Sequence, residues 1–278
     1  MIDVLLASYR PDPAHLAAQE RSIRQQKGVD VNLIMREDSA GEGPLANFSA
    51  LLSQSSAPYI AFSDQDDIWL DDKLFRSMEA MKRLEADFGD DMPLLVFTDA
   101  HVVDSDLHVL DESLFKRTNI DPRRIRPEQL ALQNVANGNT MLFNAALREK
   151  ASPIPSEAFM HDHWMMLVAS VFGRIACVDA QTLLYRQHSR NVLGGAKVGL
   201  GYFIAKAKEG RDSLRRRLYA NVRQAAAFAE RFGDSTPASL RALATIAKKP
   251  WPMRVATLVK HRIFKNGLLR NLGTFCIV

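Results

Sequence analysis

Short, largely apolar runs of strand length alternate with helix-patterned segments along most of the chain. This alternation restricts the fold more than any other feature of the sequence. Residues 2–7, 31–35, 59–62 and 94–98 are the runs, and 13–26, 45–53 and 72–88 are the helical segments between them. In the last of these, Leu74, Met78, Met81 and Leu84 recur at helical spacing. Such a pattern predicts an α/β fold with a mostly parallel central sheet flanked by helices on both faces. Further strands are expected near 101–103, 140–143, 175–178 and 182–185, and a helix over 161–172. No internal repeat is visible.

The pattern changes after Gly194-Gly195. Segments 200–232 and 237–249 read as helices rich in Arg and Lys, Pro250-Trp251-Pro252 breaks the chain, and 253–272 reads as one basic amphipathic helix. Residues 201–278 carry sixteen Lys and Arg against four Asp and Glu, while 1–200 carry 20 against 28. A body of net charge −8 is thus joined to a tail of +12, which gives the whole chain its +4. The expected division is a catalytic domain over 1–199 and a basic α-helical region over 200–278.

Composition removes several function classes. Hydrophobic residues at 47% and charged residues at 24% exclude a mainly disordered chain. Two cysteines, Cys177 and Cys276, leave no disulfide framework, four-cysteine zinc site or cysteine-held iron–sulfur cluster, and a reducing compartment is expected. The first residues, Met1-Ile2-Asp3-Val4, have no basic leader, so no signal peptide is expected. No run of about 18 apolar residues suggests a membrane span. The basic helices are sided and poor in aromatic residues, and the body is acidic, so no nucleic-acid partner is expected.

The strongest chemical signal is Asp64-Gln65-Asp66-Asp67, directly after the third strand. Ligands of open α/β sheets bind beyond the carboxyl ends of the strands. Carboxylates crowded there suit a hard cation such as Mg²⁺ or Mn²⁺, which would in turn hold a diphosphate. The alternative for Asp67, Asp71 and Asp72 is helix capping. Asp38 follows the second strand, where an Asx-turn is the alternative to a binding role. Asp162, in His161-Asp162-His163, suits a general base, with helix capping as its alternative. The two histidines, spaced i and i+2 on a helix, do not face one another and make a poor metal pair. His188 ends a strand in Tyr185-Arg186-Gln187-His188, where a metal ligand and an exposed histidine are both consistent with its position.

Taken in order, six segments resemble the family 2 glycosyltransferases of the GT-A fold. They are Ala7-Ser8-Tyr9, Glu37-Asp38-Ser39, Asp64-Gln65-Asp66-Asp67-Ile68-Trp69, Gly138 through Asn144, His161-Asp162 and Tyr185-Arg186-Gln187-His188. More narrowly, they are similar to the rhamnosyltransferase-like branch that builds bacterial surface polysaccharides. The resemblance spans roughly residues 1–197. It implies that Ser8 and Tyr9 contact the donor nucleotide, that Asp38 hydrogen-bonds the base, and that Asp64 lies toward the ribose. It also implies that Asp66 and His188 hold the divalent metal and that Asp162 is the catalytic base. The turn after the second strand commonly reads Asp-Asp-Gly-Ser in the family and reads Glu37-Asp38-Ser39-Ala40 here, so Asp38 is retained.

The implied activity is metal-dependent, inverting transfer of a sugar, rhamnose in that branch, from a UDP- or dTDP-sugar. The acceptor would be a growing surface glycan or a polyprenyl-linked molecule. The alternative is a non-catalytic nucleotide-sugar or glycan-binding module on the same fold. The basic helix over 253–272 suggests cytoplasmic attachment to the anionic inner face of the cell membrane. Its apolar face would otherwise pack on the catalytic body or on a second subunit.

Overall fold

A computed structural model describes residues 1–187, 198–199 and 210–278. The strands are β1 (Ile2–Ser8), β2 (Val31–Glu37), β3 (Tyr59–Ser63), β4 (Ile68–Trp69), β5 (Leu94–Val103), β6 (Val109–Asp111), β7 (Met141–Asn144) and β8 (Arg174–Arg186). They form one sheet in the order β2-β1-β3-β7-β5-β8-β4, with β6 paired to β5. β1 runs parallel to β2 and β3, and β5 runs parallel to β8. β7 enters between β3 and β5 antiparallel to both, and β4 and β6 are also antiparallel to their neighbours. The sheet is therefore mixed: its five longest strands share one direction and the short ones reverse it. The separate strands expected at 101–103, and at 175–178 and 182–185, are parts of β5 and β8. Register shifts near Thr98 and Asp99 keep these two strands paired along their length.

The helices that cover the sheet are α1 (Pro13–Arg24), α2 (Pro44–Gln54), α3 (Lys73–Phe88), α4 (Leu114–Thr118), α5 (Pro127–Leu130), α6 (Ala145–Ala151) and α7 (His161–Phe172). Side-chain alternation sorts the strands onto two cores. Val4, Leu6, Ala61, Val96 and Leu142 face Ile23 of α1 and Leu74, Met78 and Met81 of α3. Leu5, Ile60, Phe62, Phe97 and Phe143 face Phe48 and Leu51 of α2 and the apolar helix α7, where Trp164 through Ala169 are all buried.

The C-terminal helices are α8 (Arg211–Phe232), α9 (Ala238–Ala244), α10 (Trp251–Lys260) and α11 (Leu268–Ile277). They extend the second core. Leu218, Val222, Ala225 and Phe228 fall on one face of α8 and join the same buried cluster as Trp164 and Phe143. Phe228 meets Trp164 edge-on at 5.5 Å, and Phe232 lies 4.7 Å from Phe172.

The single helix expected over 253–272 is instead two, α10 and α11, broken at 261–267. Arg262 has φ +54° and Gly267 φ +85°. The buried Asn266 receives a hydrogen bond from Asp121 N and donates its own N–H to Gln133 Oε1. The break seats Ile263 in the core. Among the described residues, no helix is long and apolar enough to cross a membrane.

Candidate active site

β1 lies between β2 and β3, so the chain leaves it in opposite directions across the sheet, and a crevice opens at the carboxyl ends of these strands. That crevice is a cleft of about 1640 Å³. Ser8, Tyr9, Asp38, Asp64, Asp66 and Asp162 all line it. His188 lies outside the described residues.

At the end of β1 the ring of Tyr9 is 47% exposed, with the Arg10 guanidinium 5.2 Å above it. The Gln65 side chain clamps this turn: its Oε1 accepts from Tyr9 N at 2.7 Å and its Nε2 donates to Tyr9 O. The acidic loop and the first loop are thus tied together. Asp38 is buried and organises the loop that follows β2. Its Oδ1 accepts from Gly41 N and Glu42 N, and its Oδ2 accepts from Gly43 N at 2.8 Å. These backbone donors hold its pKa below the ordinary carboxylate value. Of about four acceptor sites on a carboxylate, one remains on Oδ2. The Asx-type loop is therefore present, with one acceptor site left over.

Asp64, Asp66 and Asp67 follow β3. Asp67 is buried and does not cap a helix. It accepts from Asn139 Nδ2 and, at 3.1 Å, from Arg186 N. The Arg186 Nε donates to Asp66 O at 2.9 Å, so β8 braces the acidic loop from behind. Asp71 pairs with Lys27 at 2.5 Å. Asp72 sits at the N-cap of α3, but its carboxylate bonds Arg76 rather than capping. Asp64 is half-buried, and burial together with the charges of Asp66 and Asp162 pushes its pKa up to about 7. Lys73, fully buried under the loop, has its Nζ 4.7 Å from the centre of the Trp69 ring and is pushed down to about 7 by burial.

The N-cap of α7 is Met160, not Asp162. Asp162 stands in the first turn and accepts from His163 N, Gly138 N and the Asn134 side chain. Burial nevertheless raises its pKa to about 6. Gly138 is required here, because a Cβ at that position would lie 2.8 Å from His161 Nε2. His161 stacks on Phe48 with ring centres 3.8 Å apart, and burial lowers its pKa to about 3. His163 turns away to Leu130 O at 2.6 Å and Gln224, and burial lowers its pKa to about 4. The two histidines diverge, as their spacing requires.

Asp64 and Asp67 are both raised by burial and by neighbouring carboxylates, a crowding of negative charge that a cation would relieve. An oxygen-rich, acidic loop of this kind has the donor chemistry of a hard divalent ion. Among the described residues, one trio brings ligand atoms within 4.8 Å of one another, and it is not in the cleft: Asp104, Asp106 and His108, between β5 and β6. Asp104 Oδ1 there accepts from Asp106 N and His108 N.

Gln65, the Asp67–Asn139–Arg186 group, Asn134 and Gly138 were not singled out from the sequence as site residues. All of them except Asn134 lie inside a quoted segment, so only Asn134 carried no local signal.

No family model matches the chain, and no curated protein matches it by sequence. Solved structures share its fold. Residues 1–349 of S. aureus TarS in complex with UDP-GlcNAc align with a TM-score of 0.51 at 14% identity, covering 94% of this chain and 80% of that one. The mannosyltransferase PcManGT from Pyrobaculum calidifontis, in complex with GDP-Man and Mn²⁺, aligns with a TM-score of 0.51 at 15% identity, covering 99% and 78%. The chain has the GT-A fold. The mixed sheet with a helical C-terminal region is the arrangement shared across nearly its whole length.

Proposed function

We propose that this chain is a metal-dependent inverting glycosyltransferase using a nucleotide-diphosphate sugar. The carrying observation is the convergence of Ser8, Tyr9, Asp38, Asp64, Asp66 and Asp162 on one cleft at the switch point of the sheet. The ligands of the two fold relatives, UDP-GlcNAc in one and GDP-Man with Mn²⁺ in the other, support the donor class.

In this reading the base stacks on the exposed Tyr9 ring, with the remaining acceptor site of Asp38 at its edge. Ser8 contacts the nucleotide, and Asp64 accepts from the ribose hydroxyls. Asp66 holds the divalent ion, with His188 completing the metal shell. When bound, the ion supplies positive charge that stabilises the leaving diphosphate. Asp162 takes the proton from the acceptor hydroxyl as that oxygen bonds to the anomeric carbon. The bond from that carbon to the diphosphate breaks, and the nucleoside diphosphate leaves with the electron pair. One base and no second nucleophile give inversion in a single displacement. A dTDP- or UDP-linked donor and rhamnose as the sugar are the narrower form of the proposal.

Trp251, Met253, Leu268, Leu269 and Leu272 are exposed apolar side chains on α10 and α11, and Lys248, Lys260 and Arg262 are exposed in the same C-terminal segment. This patch supports peripheral attachment to the anionic cytoplasmic face of the membrane. Flotation with anionic and neutral liposomes, comparing the full chain with the Leu268→Asp/Leu272→Asp variant, tests attachment. The substitution lies on the exposed face, so it spares the shared core that a truncation would open. Preference for anionic liposomes that the variant loses supports attachment, and equal flotation of both proteins contradicts it.

The transferase reading is tested by nucleotide release from UDP-, dTDP- and GDP-sugars, with and without Mn²⁺. Release that depends on Mn²⁺ and on one nucleotide class is expected. Tight nucleotide binding with no turnover on any donor would make the chain a binding module instead.

A further inference from the structure

Arg10 lies two residues past the end of β1 and lines the cleft together with Asp38, Asp64 and Asp66. Its backbone is left-handed, with φ +43°. Residues with a Cβ are disfavoured there, and Gly or Asn adopts the conformation more readily. The turn is held on both sides. Gln65 bonds Tyr9 N and Tyr9 O, and Asp12 caps the helix that follows. An arginine at this position is kept at a cost to folding, and what that cost retains is its head group.

The head group is also uncommitted. Among the described residues, the Arg10 guanidinium makes no hydrogen bond and no ion pair, and its neighbour is the Tyr9 ring at 5.2 Å. The other Lys and Arg residues of the cleft, Arg186, Arg217, Lys265 and Arg270, all have partners.

The helix after β1 offers an anion nothing. In many α/β folds a phosphate rests on the first N–H groups of that helix. In α1 these groups are used up: Pro13 has no N–H, Ala14 N and His15 N donate to Asp12 Oδ1, and Leu16 N donates to Asp12 O. The carboxylate of Asp12 itself stands where the phosphate would lie. A phosphate group entering the cleft at the end of β1 therefore needs a side-chain cation, and Arg10 is the one at hand.

We propose that Arg10 is a further donor-binding residue, which takes the diphosphate of the nucleotide sugar. Its planar fork of N–H groups suits two phosphate oxygens at once. The diphosphate gains negative charge as its bond to the sugar breaks, so a cation held on it also favours departure. The assignment rests on the transferase reading, because it adds a residue to the donor site of that reading.

The test is isothermal titration of the full-length protein in Mn²⁺ with UDP, dTDP and GDP. Uridine, thymidine or guanosine is then measured by competition against whichever diphosphate binds. Arg10→Asn removes the cation and suits the left-handed backbone. It is expected to weaken the nucleoside diphosphate about tenfold or more, and to leave the matching nucleoside within about threefold of the wild type. The melting temperature is expected to hold or rise, which separates lost binding from lost folding. An equal loss for diphosphate and nucleoside would make Arg10 a support for the Tyr9 ring, and an unchanged diphosphate affinity would make it a solvated surface residue. Either result overturns the assignment. If no nucleoside diphosphate binds the wild type, the transferase reading fails; if one binds and Arg10→Asn holds it equally well, only the assignment of Arg10 fails.

Discussion

In the proposed function Asp162 is the base, and burial raises its pKa to about 6 while it remains bonded to His163 N. A base must be ionised, so turnover is expected to fall as pH drops through about 6. Asp162→Asn should lower turnover by about 10²-fold or more and remove that acidic limb, with donor affinity held. A pH–rate series on both proteins checks this. If donor affinity also collapses, Asp162 organises the 134–138 turn rather than the chemistry. Asp64 makes the opposite statement about stability. Its pKa, ordinarily 3.8, is raised to about 7 in the fold. The unfolded chain then releases its proton first, so stability falls as pH rises from about 4 to 7, and the full penalty stands above 7. Asp64→Asn is therefore expected to raise the melting temperature at pH 8 without metal, and the gain should vanish near pH 4. These carboxylates were legible in the sequence because each follows a strand or opens a helix. The pairing of Asp67 was not, since its partner Asn139 lies 72 residues away and only the closed sheet brings them together.

At the scale of elements, the first strands and helices were legible because period-2 and period-3.6 patterns are local. The break between α10 and α11 was not. Apolar residues recur at helical spacing straight through 253–272, and what stops the helix is remote: Asn266 held by Gln133 and by Asp121 N. A continuous helix would place Leu258 and Leu269 on the same kind of surface, whereas Leu258 is buried and Leu269 exposed. Helix α8 is tied to the start of α7 by Gln224. Its Oε1 accepts from Phe159 N, and its Nε2 donates to His163 Nδ1, which fixes the histidine proton on Nε2, facing Leu130 O. Gln224→Leu strands the Phe159 N–H and is expected to destabilise the protein by about 1–3 kcal/mol in urea unfolding. A change within measurement error would mean that the two ends are held by packing alone.

For the molecule as a whole, the change of charge sign near residue 200 was plain in the sequence, and the sharing of one core across it was not. Phe228 and Leu218 of α8 are fully or nearly buried in one cluster with the sheet and α7. Side chains of this size contribute about 1.5–3 kcal/mol each when buried. A chain ending at 199 is therefore expected to lose cooperative thermal unfolding, which circular dichroism would show. A sharp transition at the full-length melting temperature would mean that the tail only rests on the body. The mostly parallel direction of the sheet was readable from its alternation. The reversed strand β7 was not, because four apolar residues carry no sign of direction. The central claim is that a metal held by Asp66 makes this cleft a transferase. Its most direct test is nucleotide release from the preferred sugar donor, titrated with Mn²⁺, for the wild type and Asp66→Ala. The account predicts saturable Mn²⁺ activation in the wild type and no release above background in the variant, and near-normal turnover by Asp66→Ala would contradict it.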